Sequence, residues 1–243
     1  MKLVFFSVGL CVCLVLDQTA VVAANTNNLL VGTWESQLIG PGRDRATCYL
    51  TFSNDFTWAG YGIALKSLGP VTIAGLWGVD SKDKITGSFT EYRDDGDISG
   101  TLTKFVAGRN EIRGHAFATQ GRIRVKGVAL STTPGLSGSW SGEVHTRGNT
   151  SYQSYTFSTV ANTPGWFNIT GTGIGENGVY TIHGALVVTS DRQANGYLAS
   201  DFGSVTTTSV WSFAGKFLPS LERATFRGHT DTGHRIVIRA AKQ

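Results

Sequence analysis

Gly32-Thr33-Trp34-Glu35-Ser36-Gln37-Leu38 opens a stretch of the chain whose landmarks return about a hundred residues later. The second stretch begins with Gly138-Ser139-Trp140, and further landmarks follow in the same order in both stretches. Thr51-Phe52-Ser53 returns as Thr156-Phe157-Ser158, and Arg113-Gly114-His115 returns as Arg227-Gly228-His229. Solenoid units are roughly 20–50 residues long, so a repeat of this length is a whole domain. The sequence therefore predicts two diverged copies of one small fold.

The N-terminal segment belongs to neither copy. Lys2 is followed by an apolar run from Leu3 to Leu16, and Val22-Ala23-Ala24 ends the segment with small residues. This pattern is typical of a cleaved export signal, since a membrane span needs ~20 apolar residues. We therefore predict a signal peptide over 1–24, a secreted protein, and no membrane span after cleavage. Cys48 would then be the one remaining cysteine, so packing rather than an internal disulfide must stabilise the fold.

Alternation of apolar and polar residues dominates both copies. Arg122-Ile123-Arg124-Val125-Lys126 is one such run, and Arg235-Ile236-Val237-Ile238-Arg239 is its counterpart. A period of two is typical of strands, and short turn signals between the runs favour antiparallel neighbours. About eight runs per copy predict an all-β protein with two tandem eight-stranded antiparallel meander barrels. The predicted first barrel covers 25–130, the linker 131–135 and the second barrel 136–243.

The opening motif resembles that of the calycin superfamily, which contains the lipocalins and avidins. Gly32-Thr33-Trp34-Glu35-Ser36-Gln37-Leu38 is similar to the first strand of avidins, and Thr170-Gly171-Thr172-Gly173 to their third strand. The resemblance implies an eight-stranded barrel that takes a ligand at one end. It makes Gly32 and Trp34, with Gly138 and Trp140, the structural signature of each barrel. It also implies that a last-strand cation stacks on each tryptophan: Arg122 or Arg124 on Trp34, and Arg235 or Arg239 on Trp140.

The biotin-binding residues of avidins are not carried over. An Asn two residues after the Trp and a Ser six after it would be expected, yet the first copy has Ser36 and Gly40. The second copy has Gly142 and Thr146 at these positions. The resemblance therefore does not imply biotin binding, and we predict no cofactor.

Aromatic residues are numerous for domains of this size, and two interpretations stay open. They fill the barrel interiors, or some of them line a ligand pocket at a barrel mouth, because binding cavities favour aromatic walls. The candidate ligand-binding residues are Trp58, Tyr61, Trp77, Trp166, Tyr197 and Trp211.

Three possible metal ligands, His229, Asp231 and His234, lie around one predicted hairpin turn. The alternative is a strand-end histidine that bonds to its own turn, and we predict no metal site. Nucleophile elbows, zinc-protease motifs and phosphate loops are absent from the sequence, which leaves enzyme activity uncertain and disfavoured. Asn149 and Asn168 begin glycosylation sequons, so a glycoprotein is expected where the host glycosylates.

These features together predict a secreted, non-enzymatic protein that captures a small molecule or glycan at a barrel mouth. A first alternative is a structural or adhesive matrix-type protein with solid barrels, whose outward arginines face an anionic extracellular polymer. A second is a hydrolase or isomerase on the same barrel. An outer-membrane barrel also fits the alternation, although the internal repeat and the C-terminal residues disfavour it. The net charge of +4 is too mild for a nucleic-acid-binding protein, and a homo-oligomer is possible by analogy with avidins.

Overall fold

The chain forms two closed, eight-stranded antiparallel barrels in tandem, as the sequence predicts. The computed structural model describes residues 27–41, 44–66, 69–82, 84–94, 96–132, 135–176, 178–202 and 209–243. The predicted signal peptide over 1–24 lies outside the described residues. In the part of the chain that is described, no helix combines the length and apolarity needed to span a bilayer.

The first barrel follows a short helix, α1 (Asn27–Leu30), and consists of eight consecutive strands. They are β1 (Gly32–Ile39), β2 (Arg45–Phe52), β3 (Thr57–Ala64), β4 (Gly69–Val79), β5 (Ile85–Tyr92), β6 (Ile98–Ala107), β7 (Glu111–Ala118) and β8 (Gly121–Ala129). Each strand pairs with the next, and β1 also pairs with β8, which closes the barrel and removes its free edges.

The second barrel repeats this order after the linker. Its strands are β9 (Gly138–His145), β10 (Thr150–Thr159), β11 (Trp166–Gly175), β12 (Gly178–Val188), β13 (Gln193–Asp201), β14 (Ser209–Phe217), β15 (Arg223–Thr230) and β16 (Arg235–Lys242). Pairing of β16 with β9 closes this barrel in the same way.

The Gly-x-Trp signature has the same geometry in both copies. Gly32 has φ 132° and Gly138 has φ 127°, a backbone conformation that side-chain-bearing residues rarely adopt. The indole N–H of Trp34 donates to the carbonyl of Leu30 at 2.8 Å, and that of Trp140 donates to the carbonyl of Leu136 at 3.0 Å. Both tryptophans are buried in equivalent surroundings, which supports the interpretation of the chain as a duplicated unit.

The expected stacking of a last-strand arginine on each tryptophan is wrong. Trp34 points into the first barrel, whereas Arg122 and Arg124 occupy exposed, outward positions of β8. Arg235 and Arg239 are likewise exposed on β16, while Trp140 lies inside. Strand alternation puts these arginines on the opposite face of the wall from the indoles.

Both barrel interiors are filled by side chains. The cavity inside the first barrel measures ≈ 20 Å³ and the one inside the second ≈ 10 Å³. A cavity needs roughly 10–15 Å³ to hold one water molecule. Neither of these two cavities therefore has room for a ligand larger than water.

The two barrels pack against each other through an apolar cluster on their outer walls. Tyr49 and Ile63 of the first barrel meet Ala185 and Val187 of the second. The hydroxyl of Tyr49 also donates to the carbonyl of Val188 at 2.6 Å. Further hydrogen bonds join Tyr61 to the Pro164 carbonyl (2.9 Å) and the Asn195 amide to the Thr47 hydroxyl (2.8 Å).

A buried carboxylate anchors the turn between β12 and β13 to the first barrel. Glu35 is 5% exposed and accepts hydrogen bonds from the Ser190 amide at 2.8 Å and the Ser190 hydroxyl at 2.7 Å. The hydroxyl of Tyr49 lies 3.5 Å from the same carboxylate. A buried carboxylate is costly without hydrogen-bond partners, and here the Ser190 donors to Glu35 lie in the second barrel. These bonds therefore hold the two barrels together at a specific position.

Candidate functional site

Three of the six aromatic candidates lie inside the barrels. Trp58, Trp77 and Trp211 are all less than 10% exposed. Their indole N–H groups find partners in the barrel walls: Ser88 carbonyl for Trp58, Ser53 and Thr57 carbonyls for Trp77, and the Ser209 hydroxyl for Trp211. The structure therefore gives these three tryptophans a packing role.

The other three aromatic candidates lie between the barrels. Tyr61, Trp166 and Tyr197 pack against the inter-barrel cluster, and the rings of Tyr61 and Trp166 meet edge to face with centroids 6.1 Å apart. Strand parity explains their placement, because Tyr61 is three positions from the inward-facing Trp58 and so points outward.

The residues of the predicted hairpin turn do not form a metal-binding group. Asp231 receives hydrogen bonds from the Val210 amide (3.3 Å) and the Thr232 amide (2.8 Å), and His234 contacts the Thr232 hydroxyl (3.1 Å). His229 is exposed on β15. Among the described residues, no group of three or more His, Cys, Asp or Glu side chains is placed to hold a metal.

Cys48 faces the interior of the first barrel and is fully buried. Burial, with the nearby Glu91 carboxylate, raises the pKa of its thiol far above the ordinary value. The thiol is therefore protonated at neutral pH and behaves as a small apolar side chain. Asn149 and Asn168, the two sequon residues, are both exposed.

Each barrel also contains a buried polar cluster at one end. In the first barrel Arg93 bonds to the buried Glu91 at 2.7 Å and lies 3.5 Å from Asp44. In the second barrel the Gln153 amide contacts the hydroxyls of Tyr155 and Tyr180. These groups satisfy one another within packed interiors, so we assign them to stability.

The outer face of β9–β11 has smaller side chains than the equivalent face of β1–β3. In the first barrel Glu35, Tyr49 and Tyr61 lie side by side on neighbouring strands and press against the second barrel. Aligning Trp34 with Trp140 gives the residues at the same three positions of the second barrel. They are Ser141, Ser154 and Thr172. Small hydroxyl side chains therefore replace two large aromatic ones, and this face stays open.

The open face forms a groove of ≈ 620 Å³ on the wall of the second barrel. This volume lies within the roughly 300–1,000 Å³ that is typical of small-molecule sites. We call it the outer groove. Its lining residues are Ser141, Gly142, Glu143, Tyr152, Gln153, Ser154, Thr172, Ile174, Leu218, Arg223, Ala224, Thr225, Arg239, Ala240 and Ala241.

One line of outward side chains crosses the groove from strand to strand. Each member lies directly opposite the next in the antiparallel registers. We call this line the outer row, and it runs through Lys216, Thr225, Arg239, Glu143, Tyr152, Ile174 and Val179. Its order is basic, acidic, aromatic and then apolar, so the two ends of the groove have different chemistry.

The side chains of the outer row are accessible. Tyr152 and Ile174 are each 61% exposed, and Val179 is 65% exposed. Arg239 and Glu143 are also exposed, and the Glu143 carboxylate lies 3.3 Å from the His145 ring. Adjacent exposed apolar groups of this kind commonly mark a binding surface.

Most of the groove residues do not stand out in the sequence. Arg239 was expected to face an anionic partner, and it lies in the groove as an outward residue of β16. Tyr152 and Ile174 were missed because neither belongs to a motif. A strand-by-strand alignment of the two copies would have revealed the groove. In that alignment Ser154 lies at the position of Tyr49, and Thr172 lies at the position of Tyr61.

Comparisons with known proteins add little to this geometry. No protein-family model matches the chain, and no curated protein matches it. A redesigned β-barrel, mFAP1, bound to DFHBI is similar with a TM-score of 0.39 and 18% identity, covering 44% of this chain and 94% of that chain. A de novo designed fluorescence-activating β-barrel has a TM-score of 0.37 and 16% identity, covering 44% of this chain and 93% of that chain.

A third similar structure is a protein of unknown function from the DUF3598 family of Nostoc punctiforme PCC 73102. Its TM-score is 0.25 and its identity 12%, covering 90% of this chain and 100% of that chain. All three similarities are low, and nothing about the ligand of this chain is inferred from them.

Proposed function

We propose that this chain is a secreted, non-enzymatic binding protein that holds a small molecule or glycan in the outer groove of its second barrel. The observation that carries the proposal is the replacement of Tyr49 and Tyr61 by Ser154 and Thr172 at equivalent positions. It leaves a lined groove of ≈ 620 Å³ where the first barrel has a filled protein contact.

The filled interiors move the proposed site from the barrel mouth to the outer wall. Cavities of ≈ 20 Å³ and ≈ 10 Å³ do not admit a ligand, whereas the groove has polar groups, an exposed tyrosine and two arginines. The same groove, with its two arginines, also suits the alternative function of an adhesive protein that contacts an anionic extracellular polymer. Membership of the calycin superfamily stays a prediction supported by the Gly-x-Trp pair, and secretion by the apolar run from Leu3 to Leu16.

Filling the groove tests the proposal. The double variant Ser154→Tyr with Thr172→Tyr introduces the two aromatic side chains that the first barrel has at these positions. We expect it to fold, since both positions are exposed, and to lose at least tenfold in affinity for any ligand that binds the groove. Ligands are found with an array of neutral and acidic oligosaccharides and a small-molecule thermal-shift screen on the wild-type chain.

Thr101→Tyr is the matched control, because Thr101 is exposed on β6 of the first barrel. It should leave the affinity unchanged. A ligand that binds the filled variant as tightly as the wild type would place the site elsewhere. Measurements use the monomeric fraction of each variant, so that self-association is scored separately from ligand binding.

A further inference from the structure

We infer that the ligand of the outer groove is an oligosaccharide that carries carboxylate groups. This inference rests on the proposed function, because it names the ligand class of the same site. The outer row supports it through the groups that it brings together and the distances between them.

The basic end of the groove is suited to a carboxylate. Arg239 lies opposite Thr225, and Thr225 lies opposite Lys216. Arg223, two positions before Thr225, shares its outward face, and all three cations are exposed. A guanidinium group binds a carboxylate through two parallel hydrogen bonds, which gives both affinity and orientation.

The opposite end of the groove is suited to the face of a sugar ring. Tyr152 is 61% exposed, with Ile174 directly opposite it on β11 and Val179 opposite Ile174 on β12. A tyrosine ring offers an apolar face together with a polar edge, which matches a pyranose that has C–H groups on one face and hydroxyls around its rim.

Hydroxyl and carboxylate groups lie between the two ends. Ser141, Ser154 and Thr172 line the groove with hydroxyls that both donate and accept hydrogen bonds. Glu143 lies between Arg239 and Tyr152 in the outer row. An ionised carboxylate accepts hydrogen bonds only, so Glu143 matches sugar hydroxyls and keeps the ligand's own carboxylate at the arginine end.

The dimensions fit a chain of sugars rather than one ring. Neighbouring strands are about 4.8 Å apart, so Arg239 and Tyr152, two strands apart, are separated by about 10 Å along the wall. A ligand that uses both residues needs a carboxylate on one sugar and a stackable face on the next. This spacing favours a disaccharide or longer unit of an acidic polysaccharide.

A second copy of this chain is a poorer occupant. The inter-barrel contact depends on the buried Tyr49 and the half-buried Tyr61, and the groove has Ser154 and Thr172 in their place. The groove also presents Arg223 and Arg239, which the apolar contact inside the chain does not. We therefore assign the groove to the saccharide.

Calorimetric titration of the full chain with a galacturonic acid trisaccharide and its fully methyl-esterified form tests the inference. The ester removes the charge and keeps the rings. We expect the acid to bind at least tenfold more tightly than the ester at low salt. Arg239→Gln should weaken acid binding about tenfold and ester binding less than twofold. Tyr152→Ala should weaken both ligands to a similar degree, and Arg124→Gln, an exposed arginine of the first barrel, should change neither.

Several results would overturn the inference. An acidic saccharide is excluded if the acid and the ester bind with equal affinity, or if Arg239→Gln weakens the binding of both equally. It is also excluded if neither ligand binds at millimolar concentration. If a different ligand then loses binding in the groove-filled variant, the ligand class is wrong and the proposed groove stands. If concentrated protein self-associates and the groove-filled variant does not, the occupant is a second copy instead.

Discussion

At the scale of single residues, Gly32 and Gly138 set the point where each barrel begins. Both have φ values, 132° and 127°, that lie in a region where a Cβ atom strains the backbone. Two residues later the chain places Trp34 and Trp140 inside, each bonded to a leucine carbonyl four residues upstream. The glycine therefore turns the chain so that the indole enters the core.

We predict that Gly32→Ala and Gly138→Ala each lower the free energy of unfolding by about 1–3 kcal/mol, because the new Cβ strains the backbone. Among the described residues, no atom lies within 4 Å of the place that a Cβ at Gly32 would take, so the loss there would come from backbone strain and not from a clash. Gly78→Ala is the control, since its Cβ would also meet open space and its φ lies outside the strained range. Urea unfolding measures all three, and an equal loss at Gly78 would contradict the assignment.

At the scale of strands, alternation was enough to predict the elements and their order. The run Arg122 to Lys126 forms part of β8 with its charged residues outward, and Arg235 to Arg239 does the same in β16. Alternation also contained the answer for the aromatic candidates, because Tyr61 is out of phase with Trp58. What parity does not tell is whether an outward aromatic meets solvent or another domain, since that depends on contacts distant in sequence.

The turn between β12 and β13 gives a pH-dependent prediction. Partial burial raises the pKa of Asp191, but hydrogen bonds from Thr189 and Gln193 outweigh it and hold the pKa below the ordinary 3.8. A lowered folded-state pKa stabilises the fold fully at a pH above the ordinary pKa of 3.8, and this stabilisation is lost as the pH falls through the lowered folded-state value. We expect Asp191→Asn to have a lower free energy of unfolding than the wild type at pH 7. This difference should disappear once the pH falls below the lowered pKa of Asp191.

Amide hydrogen exchange distinguishes a local from a general effect. Asp191→Asn should speed exchange of the Ser190 amide, which donates to Glu35 across the barrels. Asp55→Asn is the control, because a hydrogen bond from Thr57 lowers the pKa of that carboxyl in a turn of the first barrel. If both variants speed exchange at Ser190 equally, the turn does not fasten the barrels together.

At the scale of the whole molecule, the contact between the barrels was not predictable from the repeat. The sequence indicates a short linker and hence two neighbouring barrels, but both copies carry similar strand patterns. The faces in contact are selected by particular hydrogen bonds, such as that of the Ser190 amide to Glu35 and that of the Tyr49 hydroxyl to the Val188 carbonyl, whose partners lie more than 130 residues apart. The outer groove was missed for a different reason: most of its residues belong to no motif, and only a strand-by-strand alignment of the two copies places Ser154 and Thr172 where the first barrel has Tyr49 and Tyr61.

We predict that Tyr49→Phe lowers the free energy of unfolding by about 1–3 kcal/mol, because it leaves the buried Val188 carbonyl without the donor that reaches it at 2.6 Å. Tyr92→Phe, at a position that is 47% exposed, is the matched control and should be neutral. Urea unfolding followed by tryptophan fluorescence compares the two. Equal effects would mean that the inter-barrel hydroxyl contributes nothing specific.

The barrels meet through unlike faces, β1–β3 of one against β12–β13 of the other. If the same pairing formed between molecules, it would be head-to-tail and would have no two-fold axis. It would therefore build a ring or an open fibre instead of a closed dimer. On the free β9–β11 face of the second barrel, Ser154 and Thr172 replace the aromatic residues of the contact. On the free β4–β5 face of the first barrel, Ser88 lies at the position where the second barrel has Tyr197. The substitutions that open the proposed ligand site, together with Ser88, thus leave each free face without aromatic side chains at these positions, which disfavours head-to-tail assembly.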